Sequence, residues 1–533
     1  KSSAASDVYK RQAISLVSKT SRTSKSFKNV KVALVFYFVN LVLSFFSRKF
    51  FLDYLGAEVL GLNTTAQNLL GFLNLAELGI GSAVSYALYK PLFLNDFRSI
   101  NEIVSIQGWL YRRIAVIITV AACILMCFFS LIFEKAKVPL WYTYASFCVL
   151  LFSSLLGYLF NYKQIVLTAD QKEYKITLNI QGIKVIKVII QLFAIVYLTD
   201  GYVYWLALEF LMAVITTIVI EFVLRHEYPW LRPQPRIGSA MRKKYTNIIT
   251  KTKQIFFHKI GHFAFSQSSS IIIYAYASLS LVAIYGNYML VATGLQMLVS
   301  AIFNSVNAGI GNLVAENNRK RTIAVFYELF SLRFYIVAVV CYGFYILVGP
   351  FISLWIGKEY VLDHTTLLLI TAVLFIDLVR NIIDSFNNAY GLFQDVWATL
   401  MEACINIGCS IWFGSIWGLP GILTGVLLSL ILVVFLWKPY FLFKWGFKIS
   451  VWHYWKLYFK CFVSGILVVW ICTFLISVLP INVDQDFKIW ILYIILNITF
   501  FGVMFLVILC SVNHSMWQSM GRILNLLKKN NNL

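Results

Sequence analysis

The sequence predicts an all-α polytopic membrane protein with about fourteen transmembrane helices, on three observations. The chain of 533 residues is 60% hydrophobic and only 13% charged, where soluble domains run at about 45–50% and about 25%. Its mean hydropathy is +0.77, and apolar runs recur, as at Ile114–Phe133, Val185–Leu198, Ile336–Val348 and Ile489–Cys510. With their milder neighbours these approach the roughly 20 residues that cross a bilayer. The third observation is a strong asymmetry of Lys and Arg between alternate loops.

The elements follow in chain order. A Ser/Thr/Lys-rich cytoplasmic tail, 1–28, precedes the first helix, 29–52, which holds no Asp or Glu. The opening KSSAASDVYKRQ reads as a cloning or assembly scar and is set aside from fold reasoning. The second helix, 60–89, ends in NLAELGIGSAVSYALYKP, stopped by Lys90–Pro91. Apolar runs then give 108–133, 139–168, 174–198 and 202–224. The stretch 225–253, containing YPWLRPQPR, is a basic cytoplasmic linker. Four more helices, 254–278, 281–314, 324–348 and 364–390, lead to the mild break GLFQDV. Helices 395–416, 419–441, 457–478 and 488–511 complete the set before a tail, 512–533. The chain so divides into an N-lobe (29–224), a C-lobe (254–441) and two extra helices (442–511).

Charge sets the orientation. With the N-terminus cytoplasmic, the inner segments and their helix ends hold 37 of the 45 Lys and Arg. The outer loops hold six (Arg48, Lys49, Lys135, Lys137, Lys358, Lys488), and Lys184 and Lys187 lie within a helix. This is the positive-inside pattern, with both termini inside. It accounts for the net charge of +22 without a nucleic-acid partner, which needs a basic soluble face. The nine cysteines fall in or beside apolar spans with no CxxC pair, so neither a disulfide framework nor a metal site is indicated.

Two segments align 230 residues apart: NLAELGIGSAVSYALYKP at 74–91 and NSVNAGIGNLVAENNRKR at 304–321. Each ends the second helix of a six-helix set, so the copies share one orientation, a direct repeat about the membrane normal. Gly79, Gly81, Gly309 and Gly311 are the packing residues of that repeat. Small residues let helix backbones approach where lipid supplies no hydrophobic drive.

Residues 54–96 also carry a family resemblance. Leu55–Gly56, Gly61–Leu62–Asn63 and Glu77–Leu78–Gly79–Ile80–Gly81 resemble the second-helix region of the polysaccharide-biosynthesis flippases. These are the O-antigen and capsule oligosaccharide exporters of the Wzx type, in one superfamily with multidrug-and-toxin extruders and lipid II flippases. The resemblance implies two six-helix lobes around a central cavity, in a bacterial cytoplasmic (inner) membrane. It also implies alternating-access transport of an isoprenoid-diphosphate-linked oligosaccharide, alongside the polymerase and glycosyltransferases of its pathway.

Ionisable groups inside a span are costly and face a cavity or a partner. Lys184 and Lys187 share a face of the fifth helix; they either snorkel to the cytoplasmic interface or line a cavity and attract a diphosphate. In the seventh helix His258 and His262 lie four apart beside Lys259, as anion contacts or polar packing. Arg48, near the outer end of the first helix, joins these as a diphosphate-binding candidate. In the tenth, Asp377, Arg380 and Asp384 form one stripe, so Arg380 reaches both aspartates along the helix. That stripe is either a self-neutralising network or an ion-coupling site. Glu77 is the other coupling candidate, facing away from the Gly79/Ala83 edge by about 160° at 100° per residue. Glu209 and Glu402 complete the carboxylates.

The leading function is a lipid-linked oligosaccharide flippase with membrane lipid as its medium, no cofactor, and no direct ATP use, since nothing resembles a P-loop. The alternative is a multidrug/cation antiporter, which favours carboxylates that the first helix lacks. A membrane glycosyltransferase or polysaccharide polymerase needs a larger outer loop than 349–365 provides.

Overall fold

A computed structural model describes residues 2–77, 80–134, 136–246, 248–250, 252, 271–276, 278–316, 318–392, 394–478, 487–513, 515–518 and 520–521. Among them there is no strand, and twelve helices are long and apolar enough to cross a membrane. The protein is an all-α, multi-pass membrane protein. It divides into two compact units, Lys1–Phe263 and Ala264–Leu533.

The first unit begins with α1, Ser2–Leu73, broken at Gly56, whose φ of 81° and ψ of 167° lie outside the helical region. Only glycine adopts that conformation without strain, so the conspicuous Leu55–Gly56 is where the chain turns between its first two spans. Phe51 and Val59 on either side of the break pack with Ile195, Tyr202 and Leu206. A 3₁₀ turn, Asn74–Glu77, then precedes α2, Ile80–Leu94. The expected continuous helix over 60–89 is therefore interrupted, and the 160° offset for Glu77 does not apply. Side-chain bonds from neighbouring helices hold Asn74 and Glu77, and glycines beside the turn weaken the helix.

Next come α3 (Phe97–Cys127), α4 (Leu140–Leu159), α5 (Glu173–Tyr197) and α6 (Gly201–Glu227). Here α2 packs on α3, α3 on α4, α4 on α6 and α5 on α6. The linker after α6 folds back onto α3. Arg232 N donates to Asn101 Oδ1 (2.7 Å), Gln234 N to Ser105 Oγ (2.8 Å), and Lys244 pairs with Glu102 (2.6 Å).

The second unit contains α7 (Leu279–Ala315), α8 (Arg319–Trp355), α9 (His364–Ala389), α10 (Val396–Trp417), α11 (Leu419–Phe447), α12 (Trp452–Val478) and α13 (Phe487–Val512). Helix α7 packs on α8, α8 on α9, α9 on α11, and α10 on α11. The α10–α11 approach is backbone on backbone. A Cβ on Gly421 would lie 2.0 Å from Phe413 O, and one on Gly425 2.3 Å from Ser410 N. This Gly-x-x-x-Gly spacing is a small-residue packing device that the repeat glycines had overshadowed. The loop expected over 349–365 is shorter, because α8 continues through Pro350 to Trp355 and α9 starts at His364.

Candidate functional site

Two intramembrane polar sites stand out, one in each unit. In the first, the α5 face bearing Lys184 and Lys187 meets α4 and α6 around an open cleft of about 200 Å³. Asn161, Glu209, Thr216 and Thr217 join the lysines in lining it. Lys187 Nζ lies 2.7 Å from Glu209 Oε1, with the two side chains 18% and 16% exposed. Gln191 Nε2 donates to the other oxygen, Glu209 Oε2, at 3.1 Å. Glu209 therefore neutralises Lys187. Lys184 is exposed at the cleft and has no ion pair among the described residues. The site keeps one positive charge in excess.

In the second unit, Arg380 gathers three carboxylates. Its Nε lies 3.6 Å from Asp377 Oδ1 and 3.3 Å from Asp384 Oδ2, as the helical spacing requires, and its Nη1 lies 3.4 Å from Glu402 Oε1 on α10. Gln296 Nε2 of α7 donates to Asp377 Oδ2 at 3.1 Å. Arg333 of α8, only 3% exposed, donates from Nε to Leu378 O at 2.6 Å and stacks on Phe303 at 4.6 Å. Its charge acts on Asp377 and Asp384. Three carboxylates so face two guanidiniums, leaving one negative charge in excess when all are ionised. Lys438 also acts on Glu402, but it is paired with Asp395 at 2.8 Å, so the two together leave the net count unchanged.

Glu77 is held by neutral donors. Tyr111 Oη donates to Glu77 Oε1 at 2.7 Å, while Tyr158 and Ser154 donate to Asn74 Oδ1 at 3.0 and 3.1 Å. Gly81 faces this network, its Cβ position 3.8 Å from Tyr111 Oη. Arg48 sits half-buried on α1 ahead of the Gly56 break. Gly309 and Gly311 lie in the backbone of α7. His258, Lys259, His262 and Gly79 lie outside the described residues.

Sequence reasoning missed three participants. Gln296 and Arg333 come from other helices, and no local spacing signals them; Glu402 stands out in the sequence as a carboxylate but not as a partner of Arg380. Asn63, in the Gly61–Leu62–Asn63 motif, accepts from the buried Tyr202 hydroxyl at 3.3 Å, and Tyr202 also bonds Ser146. No group of three or more His, Cys, Asp or Glu among the described residues is arranged to hold a metal.

No family model and no curated protein matches the chain. Among solved structures, the lipid II flippase MurJ in an inward closed conformation matches with a TM-score of 0.61 at 17% identity. The match covers 89% of this chain and 98% of that one. This chain has the MurJ–MATE fold. An inward-facing multidrug resistance MATE family transporter of the MOP superfamily matches at 0.52 and 14% identity, over 78% of this chain and 97% of that one. The Vibrio cholerae MATE transporter VcmN matches at 0.51 and 14%, over 80% and 99%. At these identities the likeness carries the MurJ–MATE fold, and the substrate has to be argued from side chains.

Proposed function

We propose that the protein is a flippase moving an isoprenoid-diphosphate-linked oligosaccharide from the cytoplasmic to the outer leaflet for surface polysaccharide assembly, as the Wzx-type exporters do. The observation that carries the reading is Lys184, an ion-pair-free ammonium in a polar cleft at membrane depth. A diphosphate supplies the charge it lacks, and Asn161, Thr216 and Thr217 offer hydrogen bonds to phosphate or sugar oxygens. The fold is shared with a protein described as a lipid II flippase, which supports a lipid-linked substrate.

The same packing order recurs in the two units, α2–α3–α4–α6–α5 and α7–α8–α9–α11–α10. That recurrence supports two repeated lobes, and lobes that rock are the usual basis of alternating access. Under the positive-inside pattern both termini lie in the cytoplasm of a bacterial inner membrane. The excess carboxylate around Arg380 is the natural place for a coupling proton or cation.

The test is protein in liposomes loaded with an isoprenoid-diphosphate oligosaccharide, read by an impermeant sugar-modifying enzyme outside. Protein-dependent exposure that Lys184→Ala/Lys187→Ala loses supports both function and site. No exposure above empty liposomes, with the fold intact and an ion gradient applied, overturns the reading. The second reading is a cation antiporter, favoured by the acidic surplus at Arg380 and by the MATE neighbours. Uptake of a cationic dye against a proton gradient would establish it.

A further inference from the structure

We propose that a cleft at the α8–α9 end of the second unit is a binding site for an anionic phospholipid, with the phosphate on Lys358 and His364 and an acyl chain along an apolar floor. The cleft has a volume of about 530 Å³, within the range of small-molecule sites. Its polar wall is Lys358, His364, Ser353 and Tyr345, and its floor is Ile346, Pro350, Leu362 and Leu367. Tyr493 of α13 closes one side. An apolar trough edged at one point by an ammonium and an imidazole suits a lipid better than a sugar or a free anion.

The two nearest carboxylates do not neutralise the wall. Asp363 caps α9, its oxygens accepting from Thr366 N at 3.0 Å and Thr366 Oγ at 2.5 Å. Glu359 folds back against its own turn, its Oε2 lying 2.5 Å from where a Cβ on Gly357 would sit. Lys358 has no ion pair among the described residues, and His364 is the first residue of α9, whose N-terminal dipole adds positive potential.

Depth is given by an aromatic stack. Trp490 of α13 lies 5.2 Å from Phe351, and Phe351 lies 5.5 Å from Trp355. Such rings collect at the headgroup level, which is where a bound phosphate would sit. The cluster Arg319–Lys320–Arg321 is at the opposite end of α8, so under the positive-inside pattern the cleft opens to the outer leaflet. The site is independent of the transported substrate.

Native mass spectrometry of the full-length protein, titrated in detergent with phosphatidylglycerol or phosphatidylcholine, tests this. Wild type should retain one phosphatidylglycerol at least tenfold better than phosphatidylcholine, and Lys358→Ala/His364→Ala should lose that preference. Lys358→Arg should keep it, as should Lys320→Ala at the other end of the helix. Leu367→Trp, which fills the floor and leaves the charges, should weaken both lipids and serves if the double variant fails to fold. Equal retention of the two lipids, or a preference untouched by the double variant, overturns the proposal. So does displacement of the lipid by inorganic phosphate alone, which would mark a free-anion site. Displacement of phosphatidylglycerol by an isoprenoid diphosphate at equal concentration would reassign the cleft to the transported lipid.

Discussion

The two intramembrane polar sites solve one problem with opposite signs. In the first unit a single carboxylate, Glu209, faces two lysines and leaves Lys184 over. In the second, Arg380 and Arg333 face Asp377, Asp384 and Glu402 and leave a carboxylate over. Full neutrality is what a purely structural network achieves where it is buried, because each uncompensated buried charge costs several kcal/mol; Lys184, exposed at its cleft, avoids that cost. Both sites stop one charge short. The difference is one of sign: an uncompensated cation in one unit and an uncompensated carboxylate in the other, which under the proposed function serve an anionic substrate and a coupling cation respectively.

The sharpest way to break the comparison is at Arg380. Arg380→Ala strands three clustered carboxylates and should cost about 3–5 kcal/mol, read as a large drop in thermal unfolding temperature in detergent. Adding Asp377→Asn, Asp384→Asn and Glu402→Gln should recover most of that loss. A mild effect of Arg380→Ala alone would mean that the carboxylates are already protonated.

Next comes Glu209→Gln, which leaves Lys187 without its counter-ion and should cost about 1–3 kcal/mol. Lys184→Ala, by contrast, removes no ion pair and should leave the unfolding temperature unchanged while lowering flipping at least tenfold. Equal destabilisation by the two substitutions would make Lys184 a structural cation and end the asymmetry. In the second unit, Glu402→Gln removes the surplus carboxylate; proton flux during transport, followed by a pH-sensitive dye inside liposomes, should fall while substrate binding persists.

Smaller still is Tyr111→Phe, which takes one donor from Glu77 and should cost about 1.5 kcal/mol. Loss of proton coupling in that variant would shift the cation site into the first unit. The smallest effect is Asp363→Ala at the α9 N-cap, about 1 kcal/mol. Burial alone raises the Asp363 carboxyl, but hydrogen bonds from the Thr366 side chain and backbone outweigh it and hold the group below its ordinary range. A depressed folded-state value means the cap contributes fully above the unfolded carboxyl range and fades as pH falls through the folded one. The gap in unfolding temperature between wild type and Asp363→Ala should therefore close on acidification.

Most of the fold was legible along the chain. Spans 174–198, 202–224 and 364–390 differ by a few residues at most from α5, α6 and α9, because lipid demands long apolar helices and the composition states where they are. The break GLFQDV falls between α9 and α10 as read. Errors arose where side chains from other helices override the local pattern. The turn at Asn74–Glu77 is held by Tyr111, Tyr158 and Ser154, and α8 runs past Pro350 into a stretch that reads as loop. The site was legible only along single helices. Arg380 with Asp377 and Asp384 follows from a spacing of three and four residues, whereas Glu402, Gln296 and Arg333 arrive from three other elements.

The sequence by itself determined that this is an all-α membrane protein, roughly where its spans lie, and which charged residues must be accommodated within lipid. Those follow from hydrophobic run length and the cost of burying charge, which act residue by residue. Only the tertiary structure decided which charges cancel. Pairing depends on distances of about 3 Å between side chains far apart in sequence, as between Lys187 and Glu209 or Arg380 and Glu402. Such pairing needs contact at hydrogen-bond distance, so local spacing marks the charged stretches but does not decide which charge is left over.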